Sequence, residues 1–365
     1  MSWLRRKILE MIPGPCGARR EGFIRKVWRE SPRRRGLFLG VGLFLGVGSL
    51  GGAAEGAPVP LLGVAPRVLQ GTAGCALVMD LHSGEILDGW HLAKAFGGSY
   101  GASSVLKPVV AYGALRAGVI DEDDRLGGQD DALLKKYGSS LRPYLRPGGA
   151  PLSFPAAMAL SDNAFFYEAG GRLGEGEVRR LFIAFGYGQP SGATGCGPEA
   201  SGTLATRLSG VHALHFLGWG SPRTRVTAAQ VLVATAAFGN GGKLLRPFCP
   251  PGELRVRGLL DDPEATAAVR RALRRVVTAG RGKPAAVPGC QVFGKTGSVV
   301  DALTGRRLGV FAGFTEGLGR DVALVVVVEG ASSDRAAALA GKLIRELRKA
   351  LGGPGQDKKG GRKSP

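Results

Sequence analysis

Histidine is scarce in this chain of 365 residues. The four present, His82, His91, His212 and His215, form no ligand cluster; His212 and His215 are three apart but lack a third partner. Cysteine is nearly as rare, with five residues and no Cys-x-x-Cys or Cys/His spacing, so neither a metal nor another cofactor is expected. Cys16 falls in the N-terminal segment. The remaining Cys75, Cys196, Cys249 and Cys290 allow three pairings, and four buried thiols stay open beside a disulfide. No internal repeat is visible. Acidic residues are outnumbered, 29 against 49 Lys and Arg, giving a net charge of +20. The excess is not on one folded face. Residues 1–36 carry eleven Lys/Arg against three Glu, and residues 342–365 carry eight against Glu346 and Asp357. A nucleic-acid binder would concentrate charge on a folded surface, so no nucleic-acid partner is expected.

Long apolar runs are also missing. The main one, within residues 36–50, is rich in Gly, and its core of 14 residues falls short of the roughly 20 that a membrane-spanning helix needs. It follows Arg33-Arg34-Arg35 and precedes Gly51-Gly-Ala-Ala-Glu-Gly-Ala57. That is the order of a basic region, an apolar region and a small-residue cleavage region. Residues 1–57 are therefore expected to be a signal peptide, cut near Ala54 or Ala57, or a retained anchor in the inner membrane. Arg34-Arg35-Gly-Leu-Phe also fits a twin-arginine export signal. Either way, residues 58 onward are expected in the periplasm or on the outer face of the cytoplasmic membrane. Residues 58–351 form the expected folded domain, and 352–365 a basic, solvated tail.

Within that domain, the chain begins and ends with strands. Cys75–Leu81 and Glu85–Trp90 read as a hairpin, and helical patterns follow at 104–117, 154–160, 163–171, 175–185 and 226–238. Asp262-Pro263-Glu264 opens another helix with a cap, a first-turn Pro and an early acid. Strands are expected at 291–297, 308–314 and 322–329, then an amphipathic helix over 333–351. This order predicts an α+β fold, an antiparallel sheet flanked by the first and last helices with an all-helical second lobe. The site should lie between lobe and sheet.

Three motifs carry the chemistry, in order: Ser104-Val-Leu-Lys107, Ser161-Asp162-Asn163 and Lys295-Thr296-Gly297. Each alone has a plain alternative reading as a helix cap or a surface turn. All three in this order are the signature of serine acyltransferases that react with penicillins. A Ser at a helix start has main-chain N–H groups and the positive helix end nearby. Lys107, one turn on, is expected to reach the Ser104 hydroxyl and to act as its base once burial lowers its proton affinity. Ser161 could relay a proton, Asn163 could hold a substrate amide, and Asp162 is assigned to capping. On a strand, alternation puts Lys295 and Gly297 on one face and Thr296 and Ser298 on the other. Gly297 is expected to let the backbone approach a ligand closely, and the Ser298 N–H to complete an oxyanion site.

These motifs, with Thr227-Ala-Ala-Gln230, Gly239-Asn240-Gly-Gly242 and Phe311-Ala-Gly-Phe314, make residues 75–330 resemble the transpeptidase domain of penicillin-binding proteins, the monofunctional class B type most of all. The resemblance implies that Ser104 is the acylated nucleophile and Lys107 its base. It implies that Ser161 and Asn163 move protons and position substrate, and that the catalytic Lys295, with Thr296 and Ser298, binds the terminal carboxylate, Gly297 counting with them as substrate-binding. Peptidoglycan stem peptides would be the substrate and β-lactams covalent inhibitors. Other cell-wall synthesis proteins are conceivable partners that no residue indicates. The chain departs from the family where Ala102-Ser103 replaces Pro-Gly and Ser298 replaces Thr. Residues 58–73 also leave no room for the family's N-terminal module. The alternatives are a D,D-carboxypeptidase with the same residues, a serine β-lactamase, and a non-catalytic penicillin sensor or scaffold. No Glu-x-x-x-Asn follows Asn163 before Lys295, which counts against the class A β-lactamases. Intact Ser104, Lys107 and Lys295 count against the scaffold.

Overall fold

The computed structural model describes residues 61–352 except Pro147. The expected export segment, residues 1–57, and the tail beyond Gly352 lie outside the described residues. Among those described, no helix is long and apolar enough to cross a membrane.

The chain opens with helix α1 (Val64–Leu69), strands β1 (Gly74–Asp80) and β2 (Ile86–Trp90), helix α2 (Leu92–Gly97) and a short strand β3 (Tyr100–Gly101). A 3-10 turn, Ser104–Leu106, then runs into α3 (Lys107–Arg116). The helical lobe continues through α4 (Asp130–Tyr137), α5 (Phe154–Leu160), α6 (Asn163–Leu173), α7 (Glu175–Ala184) and α8 (Gly210–Trp219). After β4 (Arg225–Val226) come α9 (Ala228–Ala236), the hairpin β5 (Lys243–Arg246) and β6 (Arg255–Leu259), and the long α10 (Pro263–Ala279). Strands β7 (Gln291–Val300), β8 (Arg307–Glu316) and β9 (Val322–Glu329) and helix α11 (Ser333–Ala350) complete it.

The first two strands and the last three meet in one antiparallel sheet of order β2-β1-β9-β8-β7, while β3-β4 and β5-β6 pair separately. The central strand β9 explains why Ala-Leu-Val-Val-Val-Val shows no alternation of polarity. Ala323, Val325 and Val327 pack into the core shared with the helical lobe, while Val322, Leu324, Val326 and Val328 pack under α1 and α11. With both faces covered, each position is apolar. The last strand, β7, has β8 on one side only and stands at the sheet edge. Helix α10 packs against β7 and against α3 and α5, tying that edge to the lobe.

Several boundaries differ from the sequence reading. The helix expected from Ser104 begins as a 3-10 turn and becomes α-helical at Lys107. The helix expected from 226 starts two residues later. Val226 pairs with Tyr100 in β4, and Thr227 closes a capping box with Gln230. The cysteine question resolves into one pair, Cys196–Cys249, closing a loop of sequence separation 53 between the segment after α7 and the connection that follows β5. Such a cross-link stabilises a domain by about 2–4 kcal/mol. Cys75 and Cys290 are free and buried, and burial pushes the Cys75 thiol up to about 12.

Candidate active site

The first motif sits where an extended segment turns into a helix. Ser103 has extended backbone, and the Leu106 N–H donates to its carbonyl (3.0 Å), closing the turn that carries Ser104. Pro108 in the first turn of α3 lacks an N–H that would have no helical partner anyway. Ser104 is half-buried, while Lys107 is completely buried.

The second motif is a helix stop followed at once by a helix start. Helix α5 ends at Ser161, whose backbone is left-handed (φ 58, ψ 39). That conformation is costly for a residue with a Cβ. Asp162 then caps α6, its Oδ1 accepting from the Phe165 N–H at 2.9 Å, as expected from the sequence. The strained turn directs both the Ser161 carbonyl and its hydroxyl at Lys107.

Lys107 Nζ donates to the Ser161 carbonyl (2.7 Å), to Asn163 Oδ1 (2.5 Å), to the Asp162 carbonyl (3.3 Å) and to Ser161 Oγ (3.4 Å). Behind it stand the rings of Phe166 and Trp219, 5.0 and 5.2 Å from the amine. The sequence reading expected the amine at the Ser104 hydroxyl. Among the described residues no hydrogen bond joins the two. The reason is the number of acceptors at the other end: two carbonyls and an amide oxygen outcompete one hydroxyl for the amine's N–H groups.

Lys295, also fully buried, reaches the same hydroxyl from the sheet edge. Its Nζ donates to Ser161 Oγ (2.8 Å) and to the Thr296 carbonyl (2.9 Å). Ser161 Oγ thus lies between two lysine amines. Asn163 accepts from Lys107 through Oδ1 and donates through Nδ2 to the Tyr144 carbonyl, which leaves a second Nδ2–H and a second Oδ1 lone pair for a substrate amide. Thr296 is buried and Ser298 exposed. Gly297 allows a close approach, but of the protein's own chain: a Cβ there would lie 2.3 Å from Ser103 Oγ and 3.1 Å from Val105 Cγ1. This contact packs the Ser104 turn against β7, and the two lysine amines on Ser161 Oγ join the second motif to the first and third.

The electrostatics follow from crowding cations in a dry place. Burial is the main reason that Lys107 loses proton affinity, and the neighbouring Lys295 and Arg281 add to it, against Asp162. Lys295 is lowered to about 7, first by burial and then by Arg281. Asp162 is the nearest carboxylate, and Arg146 stands 3.6 Å from it. A site with Lys107, Lys295 and Arg281 around one committed carboxylate suits an anionic substrate.

Residues 74–348 match the family model described as the penicillin binding protein transpeptidase domain. The peptidoglycan D,D-transpeptidase MrdA of Acinetobacter baumannii is 25% identical over 290 residues, 69% of this chain and 42% of that protein. Stage V sporulation protein D of Bacillus subtilis is 30% identical over 187 residues, 47% of this chain and 28% of that protein. The chain therefore spans less than half the length of these relatives. Among solved structures, the transpeptidase domain of penicillin-binding protein 3 from Burkholderia pseudomallei superposes with a TM-score of 0.65 at 16% identity, covering 82% of this chain and 96% of that one.

Proposed function

The chain belongs to the penicillin-binding protein transpeptidase family, and from that premise we propose that it is a peptidoglycan D,D-transpeptidase acting through an acyl-enzyme on Ser104. The observation that carries the reading is the Ser161 hydroxyl held by two buried amines beside the turn that presents Ser104. Neutral Lys107 takes the Ser104 proton as the oxygen attacks the carbonyl of a D-Ala-D-Ala bond. To do so the amine, with one N–H fewer than its ammonium form, gives up one of its present acceptors and turns its lone pair to accept from the Ser104 O–H, a tightening that catalytic hydrogen bonds undergo on substrate binding. Main-chain N–H groups of Ser104 and Ser298 stabilise the oxyanion. The C–N bond then breaks, and the proton passes through Ser161 to the departing D-Ala amine. An amine from a neighbouring stem peptide attacks the ester, and its proton returns to Ser104. Lys295, with the Thr296 hydroxyl and the close-packed Gly297, faces the substrate's terminal carboxylate, while Asn163 orients Lys107.

Peptidoglycan lies outside the cytoplasm, and the Cys196–Cys249 disulfide fits a compartment where disulfides persist. Residues 1–57 would deliver the domain there, as a cleaved signal or a retained anchor. The direct test supplies a stem pentapeptide ending in D-Ala-D-Ala, with and without an amine-bearing acceptor peptide. The expected result is D-Ala release with a cross-linked product when acceptor is present. Release with water alone as acceptor assigns a carboxypeptidase, and no release from a folded enzyme refutes the proposal.

The lysine pair also sets a pH dependence. Second-order acylation by a penicillin should have a basic limb near pH 7, where free-enzyme Lys295 (about 7) loses the charge that faces the carboxylate. Protonation of Lys107, whose proton affinity burial holds well below the ordinary lysine range, should set an acid limb. The two amines share Ser161, so these limbs belong to the pair. A rate still rising at pH 9 would mean that a neutral Lys295 suffices.

A further inference from the structure

Helix α5 ends directly before Ser161, and the fate of its last carbonyls shows what holds the strained turn. Like any α-helix, it leaves four carbonyls without helical partners. The Asp162 N–H takes the Ala157 carbonyl (2.9 Å) and the Ser161 N–H takes Met158 (3.2 Å). The other two are satisfied from a distant part of the chain. The Arg281 main-chain N–H donates to the Ala159 carbonyl (3.0 Å), and Arg281 Nε donates to the Leu160 carbonyl (2.8 Å).

Arg281 lies just beyond α10, between two glycines that let it come so close. A Cβ on Gly280 would fall 2.3 Å from the Ala159 oxygen, and one on Gly282 would fall 2.9 Å from Val276 Cγ1. The side chain is exposed and has no acidic partner among the described residues. Its charge therefore stands at the negative end of α5, facing a site that already contains Lys107 and Lys295.

We propose that Arg281 is a positioning residue for the acyl-transfer centre: it caps α5 from another part of the chain, fixes the left-handed turn at Ser161, and thereby aims the Ser161 hydroxyl at both lysine amines. Its main-chain bond anchors the turn, and its side chain completes the cap. The charge has a second consequence, since Arg281 opposes protonation of Lys107 and Lys295. The charged groups facing the pair are Arg281 from the loop after α10, Asp162 from the start of α6, and Arg146 beyond Asp162. Removing the guanidinium should loosen the turn and leave both amines more easily protonated.

This inference rests on the acyl-transfer reading above, and the test separates the two. Full-length wild type, Arg281→Ala and Arg281→Lys are compared by second-order acylation with one penicillin across pH, alongside thermal melting. Arg281→Ala keeps the main-chain bond to Ala159, so its melting temperature should stay close to wild type. Its acylation at pH 7 should fall about 10-fold through a misaimed Ser161, and its basic limb should move upward from about 7. Arg281→Lys keeps the charge and should hold the limb at the wild-type pH while recovering only part of the rate. Wild-type rate and profile in Arg281→Ala would overturn the proposal. So would a rate loss that follows a lowered melting temperature, leaves the limb unmoved and is not relieved by Lys. If wild type itself is not acylated, the functional reading fails, and the cap described by the hydrogen bonds is left without a catalytic task.

Discussion

Ser104→Ala should abolish covalent penicillin labelling and leave the domain folded. The residue opens the 3-10 turn, but its hydroxyl makes no hydrogen bond among the described residues. The turn is closed instead by the Leu106 N–H on the Ser103 carbonyl and by Ser103 packing beneath Gly297. Losing one half-buried, unpaired hydroxyl is expected to change stability by no more than about 0.5 kcal/mol. Labelling depends on it entirely, because without Oγ no ester can form. Ser103 is the adjacent alternative nucleophile. It is only 2% exposed, and its oxygen faces the Gly297 Cα, a poor position from which to attack. Ser103→Ala should therefore still label. Labelling that survives in Ser104→Ala and disappears in Ser103→Ala would reverse the assignment.

The second large effect separates two lysines that have the same charge and different tasks. Lys107→Arg should lose acylation by about 100-fold or more, since a guanidinium stays protonated and cannot act as base. The carbonyls around Lys107 would still accept from an arginine, so the variant loses the proton acceptor more than the local bonds. Lys295→Arg keeps a cation at the carboxylate side and should retain measurable acylation, weakened by altered geometry in a fully buried position. It should also lose the basic limb near pH 7, because arginine does not titrate there. Both variants need a melting curve beside the rate, given that each site is fully buried. If Lys107→Arg acylates as fast as Lys295→Arg, Lys107 is not the base.

The three motifs were legible because each sits where local chemistry demands particular residues. Ser161-Asp162-Asn163 offers capping residues between two helical patterns, and the chain does stop and restart a helix there. The paired faces of β7 followed from alternation alone. What could not be read was anything made by distant pieces. The left-handed backbone at Ser161 has no glycine to announce it and is held from Arg281. Gly280-Arg-Gly282 reads locally as a loop. The disulfide joins cysteines 53 residues apart, with nothing nearby to select one of three pairings. The β5–β6 hairpin escaped because β6 (Arg255–Leu259) is mostly exposed on both sides and shows no apolar alternation. Helices α4 and α8 also went unread. Asp130 is the only fully buried residue in α4, and α8 begins at a glycine and is apolar nearly all round, so neither presents a clean stripe.

Intact-mass and peptide mapping of the full-length protein after brief exposure to a penicillin tests the central claim most directly. The expected result is one added penicilloyl group per folded chain, found on the peptide containing Ser104 and assigned to Ser104 by fragmentation, with slow loss after the free drug is removed. An adduct on another residue, or a folded protein that takes up none, would contradict the account.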